Sequence, residues 1–386
     1  MIALGRYNNR MQTKADVLII GGGVIGLTTA CYLARDGVKV TLLDRTTPGS
    51  EASWAGAGII PPGNPERAAT AYDRLRATSS RAFPTLTAEL NELTGIDNGY
   101  RVCGGIEVFE SPAPEVLSVW QAEGIDFRPL TEGDVRKLEP QMQARGDVFH
   151  LPGMAQVRNP WHLRALVEAC QRLGVQIKAD VPVVRFRTAA NRVATAVAES
   201  GEEYPADRFL IATGAWADRM LAQLGWRTGI HPVRGQIVLY HPPAPLLRHV
   251  VCVEKRYLVP REDSRILVGS TEEPEAGFEK RTTGTGVVGL MQFAADVVPA
   301  LAQSPVDKSW AGLRPGSPDG MPHLGPIPGW SNAFVAAGHH RAGIQLSPAT
   351  GQLMANLLQG RSPAMSLEPF RPDRPHGPPM ATAFRS

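Results

Sequence analysis

Ala15-Asp16-Val17-Leu18-Ile19-Ile20 runs straight into Gly21-Gly22-Gly23-Val24-Ile25-Gly26, and Val38-Lys39-Val40-Thr41-Leu42-Leu43-Asp44 follows one helix-length later. The first run is short, apolar and β-branched, as a strand buried on both faces requires. Gly21, Gly23 and Gly26 fall in G-x-G-x-x-G spacing where that strand turns into a helix. Val24, Leu27, Cys31 and Ala34 share one helical stripe, and Gly37 stops it. Strand, turn, helix, strand and closing acid stand in register, which predicts a βαβ unit on a parallel sheet.

Each glycine has a physical task. Gly21 allows the tight turn, Gly23 lets the backbone approach a pyrophosphate, and Gly26 lets helix and strand pack closely. The helix N-terminus offers free N–H groups and partial positive charge to phosphates. Asp44 is placed to accept hydrogen bonds from an adenosine ribose and disfavours a 2′-phosphate there, which argues against NADP. A glycine-rich turn with no ligand is the competing reading, and the five features in register count against it.

At 386 residues the chain exceeds what one core usually serves, so two domains are expected. A net charge of +3, with no basic run or basic-aromatic ladder, implies no nucleic acid. Cys31, Cys103, Cys170 and Cys252 are scattered and contain no C-x-x-C, so they read as buried thiols in a reducing compartment. No apolar run reaches membrane-spanning length, and residues 1–13 lack the apolar core of a signal peptide. These features predict a cytoplasmic protein.

Further along, residues 45–65 form a Gly/Pro/Ser-rich loop around Ala52-Ser53-Trp54-Ala55-Gly56-Ala57-Gly58-Ile59-Ile60, small enough for a backbone to lie against a flat ligand. Residues 66–94 look helical with an interruption near Pro84. From 100 to 149 short alternating segments suggest an antiparallel insert. Asn159 suits the N-cap and Pro160 the first position of an amphipathic helix reaching Leu173. A three-segment meander (183–186, 192–198, 208–212) then runs into Thr213-Gly214-Ala215-Trp216. Strands are expected at 236–240 and at 256–260, the latter paired with 265–270, and helices at 286–302 and 347–358. Residues 366–386 are a Pro-rich tail, expected to be poorly ordered past Asp373.

Four separated motifs resemble one family. They are Gly21 to Gly26 with Asp44; the small-residue run 52–60; the segment 212–216; and Leu313-Arg314-Pro315 with Gly338-His339-His340-Arg341-Ala342-Gly343. Together, over roughly 15–370, they resemble FAD-dependent amine oxidases of the D-amino acid oxidase superfamily, nearest to the glycine oxidases of thiamine biosynthesis. The resemblance implies an α/β fold: a Rossmann-type FAD-binding domain from 14–90, 150–230 and 310–365, and a second α+β substrate domain on a large antiparallel sheet from 91–149 and 231–309. It places non-covalent FAD against Gly21, Gly23, Val24, Ile25, Gly26, Asp44, Arg45, Ala52, Ser53, Ala57, Gly58, Ile59 and Val183. Thr213, Gly214, Gly338, His339, His340, Arg341, Ala342, Gly343, Ile344 and Gln345 complete the cofactor set. Relatives that link flavin covalently use a cysteine after Gly312, and none lies beyond Cys252.

The resemblance implies oxidation of glycine or a related small amine or D-amino acid, with molecular oxygen as acceptor, giving imine and hydrogen peroxide. Hydride leaves Cα for flavin N5, driven by the neutral amine's lone pair, so orientation and electrostatics are the protein's part. Arg314 would anchor the substrate carboxylate through its bidentate fork, against the bland reading of a structural arginine. Tyr257 would bond the same carboxylate, or else be a packed strand tyrosine. Arg341 would stabilise charge on the reduced flavin. Adjacent His339 and His340 point different ways, and no metal is expected. His340, Ala342, Gln345 and Glu272 depart from the family pattern; if Glu272 and His340 face the pocket, the site is more polar than glycine needs. A homo-oligomer is expected. A D-amino acid dehydrogenase passing electrons to a quinone, and an inactive flavin-binding scaffold, are the alternatives.

Overall fold

The computed structural model describes residues 14–377 and Phe384. Strand β1 (Ala15–Ile20) lies at the centre of the first sheet, parallel to β2 (Val40–Leu43) on one side and to strand Glu203–Ile211 on the other. Gln176–Lys178 extends the sheet beyond β2, and Ala333–Ala337 extends it beyond Glu203–Ile211, both in parallel. The predicted meander is present with its third strand starting earlier than expected: the hairpin of Val183–Ala189 and Arg192–Ala198 pairs antiparallel with 203–205, while 208–211 runs parallel to β1.

Side-chain alternation along β1 serves both faces. Val17 and Ile19 enter a core shared with helix α1 (Val24–Arg35), while Leu18 and Ile20 enter the opposite core. On the first face α1 packs against helices Asn159–Arg172 and Gly343–Leu358, with Ala71–Thr94 beside both. The α/β class expected of the chain is what the structure has.

The second sheet has eight strands among the described residues, in the order Val306–Gly316, His231–Tyr240, Ile266–Gly269, Arg256–Pro260, Val250–Val253, Gly105–Phe109, Asp147–Leu151, Arg128–Pro129. It is antiparallel except where Val250–Val253 meets Gly105–Phe109. Helix Gly284–Val297 covers one face through Leu290, Phe293, Ala294 and Val297. The other face, with Ile237 and Tyr257, packs toward Ala57 and Ile59. Val306–Gly316 pairs along its length with His231–Tyr240, so this sheet continues past residue 310.

Several local expectations need correction. Ala71–Thr94 is one unbroken helix with Pro84 inside it, because packing of Leu75, Phe83, Leu86 and Leu90 outweighs the proline's local cost. Asn159 is the first helical residue, not the cap, and its Nδ2 donates to the Ser53 carbonyl (2.8 Å). The helix expected over 286–302 ends at Val297 and continues as a 3-10 turn, Pro299–Gln303, where Pro299 cannot extend the ladder. The last helix begins at Gly343, four residues before the expected start. Cys103 is only partly buried. Most of the tail expected to be poorly ordered past Asp373 lies outside the described residues; of those described, the Arg374 side chain is 7% exposed on its ion pair with Asp319, and Phe384 stacks on Trp120. The signal-peptide reading of residues 1–13 lies outside the described residues.

Candidate active site

Between the two sheets lies a cavity of about 440 Å³, which starts at Gly21, Asp44 and Arg45 and reaches Tyr257 and Arg314. At the first end β1 delivers the glycine turn. Gly21 has φ +108°, and a side chain there would overlap the Ala212 carbonyl. A side chain on Gly26 would overlap the Gly21 carbonyl oxygen, so only glycine permits this contact of turn and helix. Asp44 braces the turn: its Oδ2 accepts from the Gly22 N–H (2.6 Å) and its Oδ1 from the Thr46 N–H (2.8 Å). Ser53 Oγ accepts from the Val24 N–H (3.0 Å), tying the small-residue run to the start of α1.

Gly21, Gly23, Val24, Ile25, Asp44, Arg45, Ala52, Ser53, Ala57, Gly58, Ile59, Val183, Thr213 and Gly214 all line this cavity, as do residues 339–345. Gly26 and Gly338, also expected at the cofactor, are not among its lining residues. The Arg45 guanidinium lies 3.5 Å from the Trp216 ring centroid and pairs with Glu51. Because the last helix starts at Gly343, its first turn (Gly343, Ile344, Gln345) opens onto the cavity with the positive end of its dipole.

The other end is built by strand register. Tyr257 pairs with Gly269, Gly269 with Ile237, Gly235 with Gly312, and Val233 with Arg314. Period-two alternation therefore puts Tyr257, Ile237, Gly235, Gly312 and Arg314 on one face, toward the cavity. Two glycines make room for two long side chains. A side chain on Gly269 would stand 2.6 Å from the Tyr257 ring, and one on Gly235 would overlap the Arg314 guanidinium. Arg314 Nη1 donates to the Thr271 carbonyl (3.0 Å) and Nη2 to Ser270 Oγ (2.5 Å). Burial pulls its pKa down, and the hydrogen-bonded Tyr257 opposes that.

His339 and His340 do part company. His339 is buried against Thr350 Oγ1 (3.2 Å), and burial pulls its pKa down to about 3. His340, at φ +47°, lines the cavity and stays neutral, its pKa lowered to about 4 by burial, then by Arg314 and Arg341. Glu272 stands behind it, 3.8 Å from His340 Nε2 and 3.5 Å from Lys255 Nζ. Burial pushes the Glu272 carboxyl up, but Lys255, Arg341 and His340 together hold it below its usual range. Arg341 donates to the Lys255 carbonyl (2.7 Å) while also lining the cavity.

The family described as DAO, FAD dependent oxidoreductase, matches residues 16–357. The chain belongs to this family. It is 37% identical to the glycine oxidase of Pseudomonas aeruginosa over 361 residues, 92% of this chain and 98% of that protein. The crystal structure of glycine oxidase from Geobacillus kaustophilus superposes with a TM-score of 0.88 at 34% identity, covering 94% of this chain and all of that one. The bifunctional protein ThiO/ThiG of a Synechocystis strain is 33% identical over 377 residues, which cover 94% of this chain and 54% of that protein.

The protein is thus an FAD-dependent oxidoreductase, and its cavity fits that cofactor. Thr213 Oγ1, His340 Nε2 and Gln345 Nε2 are buried on its wall and have no hydrogen-bond partner in the protein, as atoms waiting for a polar ligand would be. Among the described residues no helix is long and apolar enough to cross a membrane. Sequence reasoning missed Gly235, Ile237, Arg219, Met220 and Gln223 on the cavity wall. Gly235 left a signal: a glycine inside a strand marks close approach of another group. The short helix Ala217–Ala222, which brings Arg219 and Met220, left none.

Proposed function

We propose that the chain oxidises glycine, or a closely related small amino acid, to its imine, with molecular oxygen reduced to hydrogen peroxide. One observation carries this reading: Arg314 and Tyr257 converge at the end of the cavity opposite the glycine turn. Bound FAD supplies the two-electron acceptor and hands the electrons to oxygen. The chain's own part is to bind and orient. The phosphates belong at the N-terminus of α1 and the ribose at Asp44, with Arg45, the small-residue run 52–59, Val183, residues 213–214 and the 338–345 loop along the rest.

Arg314 receives the carboxylate as a fork, and Tyr257 adds a hydroxyl donor. Both orient Cα toward the ring. Neutral His340 adds no charge beside the amine, and Arg341 supplies positive charge at the far wall. The chain divides into an FAD-binding part (14–90, 150–230, 310–365) and a substrate part (91–149, 231–309), each built mainly on one of the two large sheets, with residues 310–316 of the FAD-binding part completing an outer strand of the substrate sheet. The likeness to a ThiO/ThiG protein supports a place in making the thiazole of thiamine. Four free thiols support a cytoplasmic setting, and Val288 and Met291, exposed one turn apart on helix Gly284–Val297, support self-association.

The test is a substrate panel (glycine, sarcosine, D-alanine) on the flavin-loaded protein with peroxide detection and stopped-flow reoxidation. Peroxide from glycine is expected. Bleaching by substrate with no return of colour in oxygen would mean a dehydrogenase, and no bleaching with any of them a scaffold.

A further inference from the structure

Behind Arg314 lies a polar network that touches neither cofactor nor substrate space. Glu273 is its hub. Arg234 Nε and Nη2 donate to Glu273 Oε2 (2.9 and 2.5 Å), while Gln236 Nε2 and Thr271 Oγ1 donate to Oε1 (2.7 and 2.5 Å). The Thr271 hydroxyl accepts in turn from the Gln236 N–H (2.9 Å), so it is held from both sides. Two backbone bonds between Arg234 and Glu273 (2.9 and 3.1 Å) fasten the 270–273 turn to strand His231–Tyr240. That turn supplies the Thr271 carbonyl and the Ser270 hydroxyl that hold the Arg314 guanidinium.

We propose that Glu273 is a positioning residue: by fixing the 270–273 turn against the strand that carries Gly235, it keeps the Arg314 guanidinium aimed at the substrate carboxylate. The inference rests on the reading of Arg314 as carboxylate anchor. An arginine fork is useful only while its plane is held, because a free side chain spends its time in other rotamers. Here Gly235 closes one side of the guanidinium and the 270–271 backbone the other. Glu273 is the acceptor shared by the groups that keep those two sides at a fixed separation. Its neighbour Glu272 faces away, toward Lys255 and His340, so the two adjacent acids serve different parts of the site.

Removing the carboxylate leaves the Thr271 hydroxyl without its acceptor. Arg234 keeps Glu279 (3.3 Å) and the backbone bonds remain, so the strand holds while the turn loosens. The experiment is a double-mutant cycle on the flavin-loaded protein, reading glycine KM and kcat by peroxide release. Acetate affinity is read alongside, from perturbation of the flavin spectrum. Glu273→Ala should raise glycine KM and acetate Kd about tenfold with kcat changed less than about threefold, and Glu273→Gln should recover part of this. In an Arg314→Ala background the same substitution should change both constants less than about twofold.

An equal rise in both backgrounds would overturn the positioning role and leave the anchor intact. An Arg314→Ala variant with unchanged KM and acetate Kd would overturn the anchor and this role together. Where Glu273→Ala fails to hold flavin, the cycle is read with Glu273→Gln against the same two outcomes.

Discussion

The Arg314 guanidinium occupies the space that a side chain on Gly235 would fill. The two residues sit on the same face of adjacent antiparallel strands, and a methyl on Gly235 would come closer than 3.0 Å to Cζ and both Nη atoms. The Gly235 backbone lies outside the left-handed region, so alanine strains no backbone there and its effect is steric alone. Gly235→Ala should push the guanidinium off the Thr271 carbonyl and raise glycine KM by about tenfold, the scale of one charged hydrogen bond. Steady-state kinetics and a melting curve together check this; an unchanged KM would mean that the fork tolerates the shift.

Direct removal of the proposed anchor should give the larger effect. A hydrogen bond to a charged group is worth roughly 1.5–3 kcal/mol, so Arg314→Ala should weaken glycine binding by about tenfold to a few hundredfold. Arg314→Lys should restore charge without the fork and fall between the two. Binding of FAD, whose contacts are proposed to lie mostly at the other end of the cavity, should change little. A loss of flavin equal to the loss of glycine affinity would mean that Arg314 serves the cofactor.

How much of this was legible before the structure depends on the range of the signal. Gly21 to Asp44 could be read because every part of it is local: an apolar strand, spaced glycines, a helical stripe and a closing acid within thirty residues. Arg314 and Tyr257 could be named only by resemblance, since strand register across 57 residues of chain (314 − 257) brings them together and no local pattern encodes register. Pro84 misled because its local cost is visible in sequence, whereas the packing of Phe83 and Leu86 that outweighs it is not. Glu272 stands out in the sequence as a departure from the family pattern, yet the acid that organises the 270–273 turn is Glu273, whose partners Arg234 and Gln236 lie almost forty positions away.

Buried neutral histidine gives the fold a defined pH response. His162 is fully buried, packs 5.7 Å from the Phe83 ring and shares Nδ1 with Asn98, and burial lowers its pKa to about 4. Unfolded, it takes up a proton near pH 6.5. The native state resists that proton, so this contribution is intact above pH 6.5 and is lost as pH falls toward 4. At pH 5 the loss is about 2 kcal/mol, from 1.36 kcal/mol per unit over the gap below 6.5. Urea midpoints measured from pH 7.5 to 5 should fall, and His162→Gln should flatten that slope. An equal slope in the variant would assign the effect to other groups, His323 and His339 first, both lowered by burial to about 3.

Just past Asp373, Arg374 is tied to the body of the protein by a buried ion pair. Arg374 Nε and Nη2 donate to the two oxygens of Asp319, both at 2.8 Å, and Nη groups also reach the carbonyls of Met321 (2.9 Å) and Phe370 (3.1 Å). Asp319 is 5% exposed on its side chain, so it cannot turn to water when its partner is removed. Burial pushes the Asp319 carboxyl up, and Arg374 with the Met321 N–H outweighs that. Breaking a buried pair by deleting one member typically costs about 3–5 kcal/mol, while replacing both by apolar groups of similar volume is near neutral. Arg374→Ala should therefore lower the urea midpoint strongly and release Phe370, which is buried in the core beside Leu324 and Leu353. Adding Asp319→Leu to Arg374→Met should recover most of the loss. If the single and double variants melt alike, the stabilisation comes from the packing of Phe370 and not from the ion pair.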